Sequence, residues 1–403
     1  MTKRTAVRMK ASLCAFLAVP MACAAAMAAA APPVSATPPQ RWTRSEATSL
    51  LAYIEHIDGH GLEPADYGPD KLRQAIQSGD AAGLEQQTSA SFGLVAADLA
   101  GGHVPSSQRR QFHIATLSLQ PDRIAALIDR AIASDDLAAV LDGLAPHDPQ
   151  YTALRKALGK LPAGSDEERR KIEANLERWR WMPRQMGERR LIVNIPEYRV
   201  HFISDGNEIA SHRVIVGKRS TPTPQISAQV TGVILNPTWS VPQSIIRESV
   251  GSLVRNNPGT ARARGYTWSY AGGGLRVVQQ PGPGNALGQL KLDMPNPFTV
   301  YLHDTSNRDL FEREDRTLSH GCIRTDKPYD LAALLLAGTD WSRARIDDVV
   351  ASRRTTRIPL AQPVPVYTVY MTAYVGPDGT VVYSGDPYGL DAAVIRLLDD
   401  GGN

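Results

Sequence analysis

Cysteine is scarce in this chain: three residues in 403. Two of them, Cys14 and Cys23, fall in an N-terminal stretch that starts with Lys3, Arg4, Arg8 and Lys10. It continues as an Ala-rich apolar run and closes on small residues at Ala29–Ala31. That layout predicts a secretory signal peptide over residues 1–31. A retained membrane anchor, or a lipid anchor at Cys23, is the alternative. Removal of the segment leaves Cys322 alone, which excludes an internal disulfide. In an exported, oxidising compartment a solitary thiol is either a reactive group or a small buried hydrophobe. Long apolar runs are also missing. No second stretch reaches the roughly 20 residues of a membrane span, so none is expected once the signal is removed. One-sided charge is missing too: +3 over the whole chain lacks the concentrated basic face of a nucleic-acid binder. Nothing in the composition speaks to oligomeric state.

What is present is ordinary globular composition, 42% hydrophobic and 21% charged, over roughly 370 residues after the signal, enough for two domains. Residues 32–41, rich in Pro and Ala, read as a disordered linker. From 42 to 165 apolar residues recur three and four apart in "SEATSLLAYIEHI", with Ser45 as a cap, and in "PDRIAALIDRAIAS", "SDDLAAVLDGLAP" and "DPQYTALRKALGKL". These predict a helical scaffold domain. Residues 166–188 predict an amphipathic connecting helix stopped at Pro183. Beyond it the period shortens. "RLIVNIPEYRVHFIS", "EIASHRVIVGK", "AQVTGVILNPTWSVP", "FTVYLHD" and "VPVYTVYMTAYVGPDGTVVYSGD" read as strands. Residues 189–403 are thus expected to form a mostly β domain, an α+β chain overall. Within it, a polar stretch at about 242–274 reads as a mobile lid.

The chemistry concentrates in "HDTSNRDLFEREDRTLSHGCIRTD", residues 303–326. A nucleophilic thiol needs a base, a group that fixes the tautomer of that base, and donors for an oxyanion. Here His303 ends a strand, Asp304 can offer a backbone carbonyl to orient the imidazole, and Gly321 lets the chain turn tightly before Cys322. Ser319 and His320 adjoin them. A zinc site from His303, His320 and Cys322 is an alternative, but the paired short spacings of metal loops are lacking. No metal or other cofactor is expected.

His303, a polar loop, then Ser319-His320-Gly321-Cys322 resembles the motif of YkuD-type L,D-transpeptidases. "NPTWSVPQSI", "PGPGNALGQLKLDMPNPFTVYLHDT", "LFEREDRTLSHGCIR" and "YMTAYVGPDGTVVYSGDPYGLD" extend the resemblance to the YcbB-like group. Two departures stand out. Arg324 occupies a position that is Asn in many members, and no room exists between Leu161 and Pro183 for the group's usual peptidoglycan-binding module. The resemblance implies stem peptides of peptidoglycan as partners. It implies Cys322 as nucleophile, His303 as proton donor and acceptor, and Gly321 and His320 supporting the oxyanion and loop. Arg324, Ser319, Trp239 and Asn285 are implied to line the substrate site. A 3-3 cross-link is the default product. A 1-3 link, L,D-carboxypeptidase action, a wall-peptide cysteine peptidase and a non-catalytic wall-binding scaffold stand as alternatives. The implied localisation is periplasmic, at the cell wall.

Replacing Cys322 by Ala or Ser is expected to abolish cross-linking with the fold retained, as followed by circular dichroism beside a muropeptide assay. Cross-linking near the wild-type level in Cys322→Ala would remove the thiol from the reaction.

Overall fold

The computed structural model describes residues 41–401. The expected signal segment and nearly all of the Pro- and Ala-rich linker lie outside the described residues. The described chain is helical from Arg44 to Trp181 and mostly strand from Arg189 onward. The first helix, Arg44–Glu55, is capped by Thr43 rather than the expected Ser45. Thr43 Oγ1 accepts from Glu46 N–H, and Glu46 returns a carboxylate to Thr43 N–H, a reciprocal capping box. The longest helix, Ala81–Gly101, buries Phe92, Val95 and Leu99 among the others.

Helix Asp166–Trp181 differs from the expected amphipathic connector. Every residue from Ala174 to Trp181 is buried, because the scaffold covers one side and the C-terminal segment the other. Its charged residues are therefore paired internally. Arg178 meets Asp391 at 2.6 Å. Arg180 donates to Glu177 at 3.0 and 2.7 Å. Glu177 also accepts from Trp181 Nε1 and from the backbone N–H groups of His103 and Val104. Gly102 makes room for it: a Cβ there would lie 2.6 Å from the Glu177 carboxylate.

Strands β1 (Arg189–Asn194), β2 (Arg199–Ser204), β3 (Asn207–Gly217) and β4 (Ser227–Leu235) begin the second half. β5 (Trp239–Ser240), β6 (Tyr266–Ala271) and β7 (Gly274–Gln279) form a separate small sheet. β8 (Leu290–Asp293), β9 (Leu302–His303), β10 (Thr317–Ser319), β11 (Ile323–Thr325) and β12 (Thr356–Val369) return to the main sheet. β13 (Ala373–Val375) and β14 (Val381–Tyr383) make a terminal hairpin. The main sheet runs β10-β3-β11-β9-β8-β4-β12-β1-β2, and a further pairing of β2 with β3 closes it on itself. Alternation along each strand sends Leu191, Val193, Val214, Leu292, Leu302 and Ile323 inward to one core. From the outer face Tyr367, Val369 and Met371 join the helical core beside Trp179 and Met182. Each such side chain contributes roughly 1.5–3 kcal/mol on burial, so the helical half and the closed sheet share one apolar interface.

The stretch 242–274, expected to be polar and without pattern, is folded. Its helical turns bury Ile246, Val250, Val254 and Ala261 against Trp239 and Val277. The spacing of four from Ile246 to Val250 to Val254 carries this signal, obscured by the intervening Arg and Glu residues.

Burial by itself would raise the Glu177 carboxyl, but Arg180 and the ring of N–H donors outweigh it and hold it below the usual carboxylate range. Its stabilisation is therefore present above the unfolded pKa and is lost as pH falls through the folded one. Glu177→Gln leaves Arg180 buried without a counter-charge and is expected to cost about 3–5 kcal/mol, seen as a lower melting temperature. An unchanged melting temperature would show that Arg180 finds another partner.

Candidate active site

Cys322 sits in the turn between β10 and β11. Gly321 has φ 106°, a conformation that favours glycine; space is not the reason, since a Cβ would meet nothing nearer than the Pro222 carbonyl at 3.6 Å. The turn is held from within. Ser319 Oγ donates to the Cys322 carbonyl at 2.6 Å and accepts from Gly321 N–H at 3.1 Å. It is also held from outside. Thr223 Oγ1 donates to the Gly321 carbonyl at 2.8 Å and accepts Gly217 N–H at 2.9 Å. Tyr388 OH in turn accepts Thr223 N–H and donates to the Gly217 carbonyl.

Strand register brings the rest together. β11 pairs with β9 so that Arg324 lies opposite His303, and β8 pairs with β9 so that Lys291 lies opposite His303 on the other side. With a period of two, Cys322 and Arg324 share a face of the sheet with Tyr301 and His303. This is the outer face, because Leu292, Leu302 and Ile323 point into the core. A row Lys291–His303–Arg324 thus crosses three strands, with Cys322 one pleat away beside Tyr301. The Tyr301 ring stands edge-on to His303 at 5.8 Å and under Lys291 Nζ at 4.8 Å.

His303 is buried, and its Nδ1 lies 2.5 Å from the Asp304 carbonyl. Only a protonated Nδ1 can donate to a carbonyl, so in the neutral ring Nε2 carries the lone pair. The Asp304 carboxylate is fixed by Gln289 N–H at 2.9 Å and Arg308 at 2.8 Å. Gly288 packs directly on it, where a Cβ would clash at 2.4 Å. The Cys322 thiol donates to the Thr299 carbonyl at 3.7 Å. Thr299 has φ 56°, strained for a β-branched residue, and the Asn296 side chain holds this turn through Met294 and Val300. Cys322 N–H has no hydrogen-bond partner among the described residues. His320, exposed, meets Glu248 of the folded insert at 2.8 Å.

Burial, then Arg324 and Lys291, push His303 down to about 4 against the opposing hydrogen bonds to the Asp304 and Leu287 backbone. Burial pushes the Cys322 thiol up, opposed by Tyr301, Lys291 and Arg324. At neutral pH the resting pair is a neutral thiol and a neutral imidazole. The Arg324 guanidinium makes no ion pair or hydrogen bond among the described residues, so its charge faces the site unspent.

Three of the sequence expectations change. Asn285 is 1% exposed and its amide is fully engaged, donating to the carbonyls of Pro237, Gln279 and Gln280 and accepting Leu287 N–H. It shapes the turn that brings the Leu287 backbone to His303 and cannot line a cleft. Ser319 is likewise buried and spent within the turn. Gly321 N–H is committed to Ser319, so it is not available to an oxyanion in this arrangement. Trp239 packs in the insert core and its indole hydrogen-bonds Tyr301. Sequence reasoning missed Tyr301, Lys291, Thr223 and Tyr388. The alternation in "FTVYLH" could have found Tyr301, two residues before His303.

Residues 188–351 match the YkuD L,D-transpeptidase catalytic domain and residues 39–158 match the Scaffold domain. A curated Haemophilus influenzae protein named "Putative L,D-transpeptidase" is 31% identical over 283 residues, covering 66% of this chain and 57% of that protein. The chain therefore spans little more than half of that relative's length. Solved structures that resemble this one include an L,D-transpeptidase from Mycobacterium smegmatis, with TM-score 0.26, 14% identity, and coverage of 45% of this chain and 58% of that one. Another is Mycobacterium tuberculosis L,D-transpeptidase 1, with TM-score 0.23, 15% identity, and coverage of 45% and 61%.

Alkylation of Cys322 by iodoacetamide as a function of pH is expected to give an apparent pKa above that of an ordinary thiol. Arg324→Gln removes a cation beside the forming thiolate, so the apparent pKa is expected to rise further, while that of His303 moves up toward its ordinary value. A downward move of the thiol in Arg324→Gln would show that Arg324 does not act on it through charge.

Proposed function

From a chain that carries a YkuD L,D-transpeptidase catalytic domain together with a Scaffold domain, we propose that the protein is a peptidoglycan cross-linking enzyme with Cys322 as nucleophile. The observation that carries this reading is the hydrogen bond from His303 Nδ1 to the Asp304 carbonyl. It leaves Nε2 as a base on the sheet face that bears the only cysteine among the described residues.

In the first half-reaction the Cys322 thiol passes its proton to His303 Nε2 as sulfur attacks the acyl carbon at the L-centre of diaminopimelate in a donor stem. Neither group is charged at rest, so the step creates an ion pair where Arg324 and Lys291 favour the anion. Cys322 N–H is free to receive the oxyanion; a preorganised donor of this kind is worth about 3 kcal/mol. His303 then returns the proton to the departing D-Ala amine, and a thioester remains. In the second half-reaction the side-chain amine of an acceptor stem attacks the thioester, loses a proton to His303, and frees the thiol. Arg324, with its unspent guanidinium, binds a substrate carboxylate. The insert, held down by Glu248 against His320, covers the site and disfavours water as acceptor. In this reading the protein is exported and works in the periplasm at the cell wall, with 3-3 links as product.

Purified protein is expected to form a covalent carbapenem adduct on Cys322 and to release D-Ala from a defined tetrapeptide stem. Mass spectrometry of the products separates 3-3 dimers from 1-3 dimers and from hydrolysed tripeptide. His303→Ala is expected to slow acylation by about 10²–10⁴, and His320→Ala far less. Shortening the 242–274 insert is expected to shift product from dimer toward hydrolysed stem. A protein that forms no adduct and releases no D-Ala is a wall-binding scaffold instead.

A further inference from the structure

A sizeable cavity lies away from Cys322. It holds about 570 Å³ and lies where the scaffold meets the outer face of β1, β2 and β12 and the terminal hairpin, lined among others by Asp148, Trp179, Arg190, Ile192 and Met371. That volume falls within the roughly 300–1,000 Å³ typical of ligand pockets. Two donors on its wall have no acceptor. Trp179, 6% exposed, has an unpartnered indole Nε1–H, and Arg190 an unpartnered Nε–H. Buried donors are almost always satisfied, so this pair in one cavity wall calls for an acceptor from outside the chain.

The other polar groups there are largely occupied. His201 sits between Glu197 at 2.9 Å and Glu208 at 2.8 Å. Burial would lower it, but these two carboxylates outweigh burial and raise it to about 9, so it is the cation of its own cluster. Arg199 Nε donates to Ser211. Arg190 is only loosely matched: one terminal nitrogen donates to the Gly187 carbonyl, and the other lies 3.6 Å from the Asp148 carboxyl, beyond hydrogen-bond distance. The guanidinium thus has room for a further acceptor. Beside it the wall is aliphatic, with Ile192, Met371 and Val382.

We propose that this cavity is a second ligand site, which takes the free carboxylate of a short aliphatic peptide on Trp179 Nε1–H and Arg190 Nε–H. Resting on the peptidoglycan reading above, that peptide is a wall stem other than the one reacting at Cys322. It would anchor the enzyme on its polymer.

The test uses the full protein with Cys322 first blocked by a carbapenem and the adduct verified by mass. The probe is the tripeptide L-Ala-γ-D-Glu-diaminopimelate, titrated by calorimetry. The blocked wild type is expected to bind it. Arg190→Gln should weaken binding about tenfold or more and Trp179→Phe several-fold, as for loss of a charge-assisted and a neutral hydrogen bond. Carbapenem acylation rates should stay unchanged in both variants. Capping the peptide carboxyls as amides should reproduce the Arg190→Gln loss. Absence of binding to the blocked protein, equal binding by both variants, or equal binding of the amidated peptide each overturns the proposal; the first would leave ordered water as the partner of the two donors. Should the carbapenem fail to react, the same titration on Cys322→Ala decides the second site independently of the proposed chemistry. Should Arg190→Gln fold poorly, Trp179→Phe, which keeps an aromatic ring and removes the N–H, carries the test.

Discussion

A single hydrogen bond from a ring nitrogen to a peptide carbonyl organises the site: His303 Nδ1 to the oxygen of Asp304, 2.5 Å away. A backbone carbonyl cannot titrate and cannot be removed by a side-chain substitution, so the neutral imidazole keeps one tautomer. Much of the surrounding structure holds that peptide group still. The Asp304 carboxylate is tied to Gln289 and Arg308, Gly288 leaves it the space it needs, and Asn285 steers the Leu287 backbone to the ring. These residues fix the imidazole without lying on its exposed side.

The turn that carries Cys322 is held by residues far from it in sequence. Helix Asp166–Trp181 contributes Arg178, whose guanidinium meets Asp391 and Thr372 and lies over the Tyr370 ring. Tyr370 donates to Asp386 and accepts Tyr388 N–H. Tyr388 reaches Thr223, and Thr223 holds the Gly321 carbonyl. A continuous polar chain thus runs from a helix of the N-terminal half, through the C-terminal segment, to the peptide unit before Cys322. It gives a physical reason for the helical half to be packed on the sheet rather than tethered to it.

The division into helices and strands was legible because hydrophobic period is a local property, and it changes between Trp181 and Arg189. The 303–324 stretch stood out for a similar reason, as a short run whose residue types are unusual together, and the strand register sets His303 and Arg324 opposite each other. Asn285 and Ser319 were misread because a polar residue beside a motif looks the same whether it meets a ligand or satisfies a turn; only an account of every donor and acceptor separates the two. Thr223 and Tyr388 carry no local signal, since their partners lie 98 and 171 residues away. The burial of Arg178 and Arg180 was invisible too, because it depends on distant segments closing over a highly charged helix: the C-terminal segment over Arg178 and the helical half, through the His60 carbonyl and Tyr151, over Arg180.

The neutral resting state of Cys322 bears on how long the protein lasts. Peroxides attack the thiolate, not the thiol, and the first product, a sulfenic acid, is the gateway to irreversible damage. Here the thiol is held up by burial and spends its proton on the Thr299 carbonyl. In the reading proposed above, its anion forms only as a proton moves onto His303, in the same step that brings an acyl group to the sulfur. In that reading the thiol ages slowly between turnovers, which matters where no neighbouring cysteine among the described residues can rescue an oxidised one.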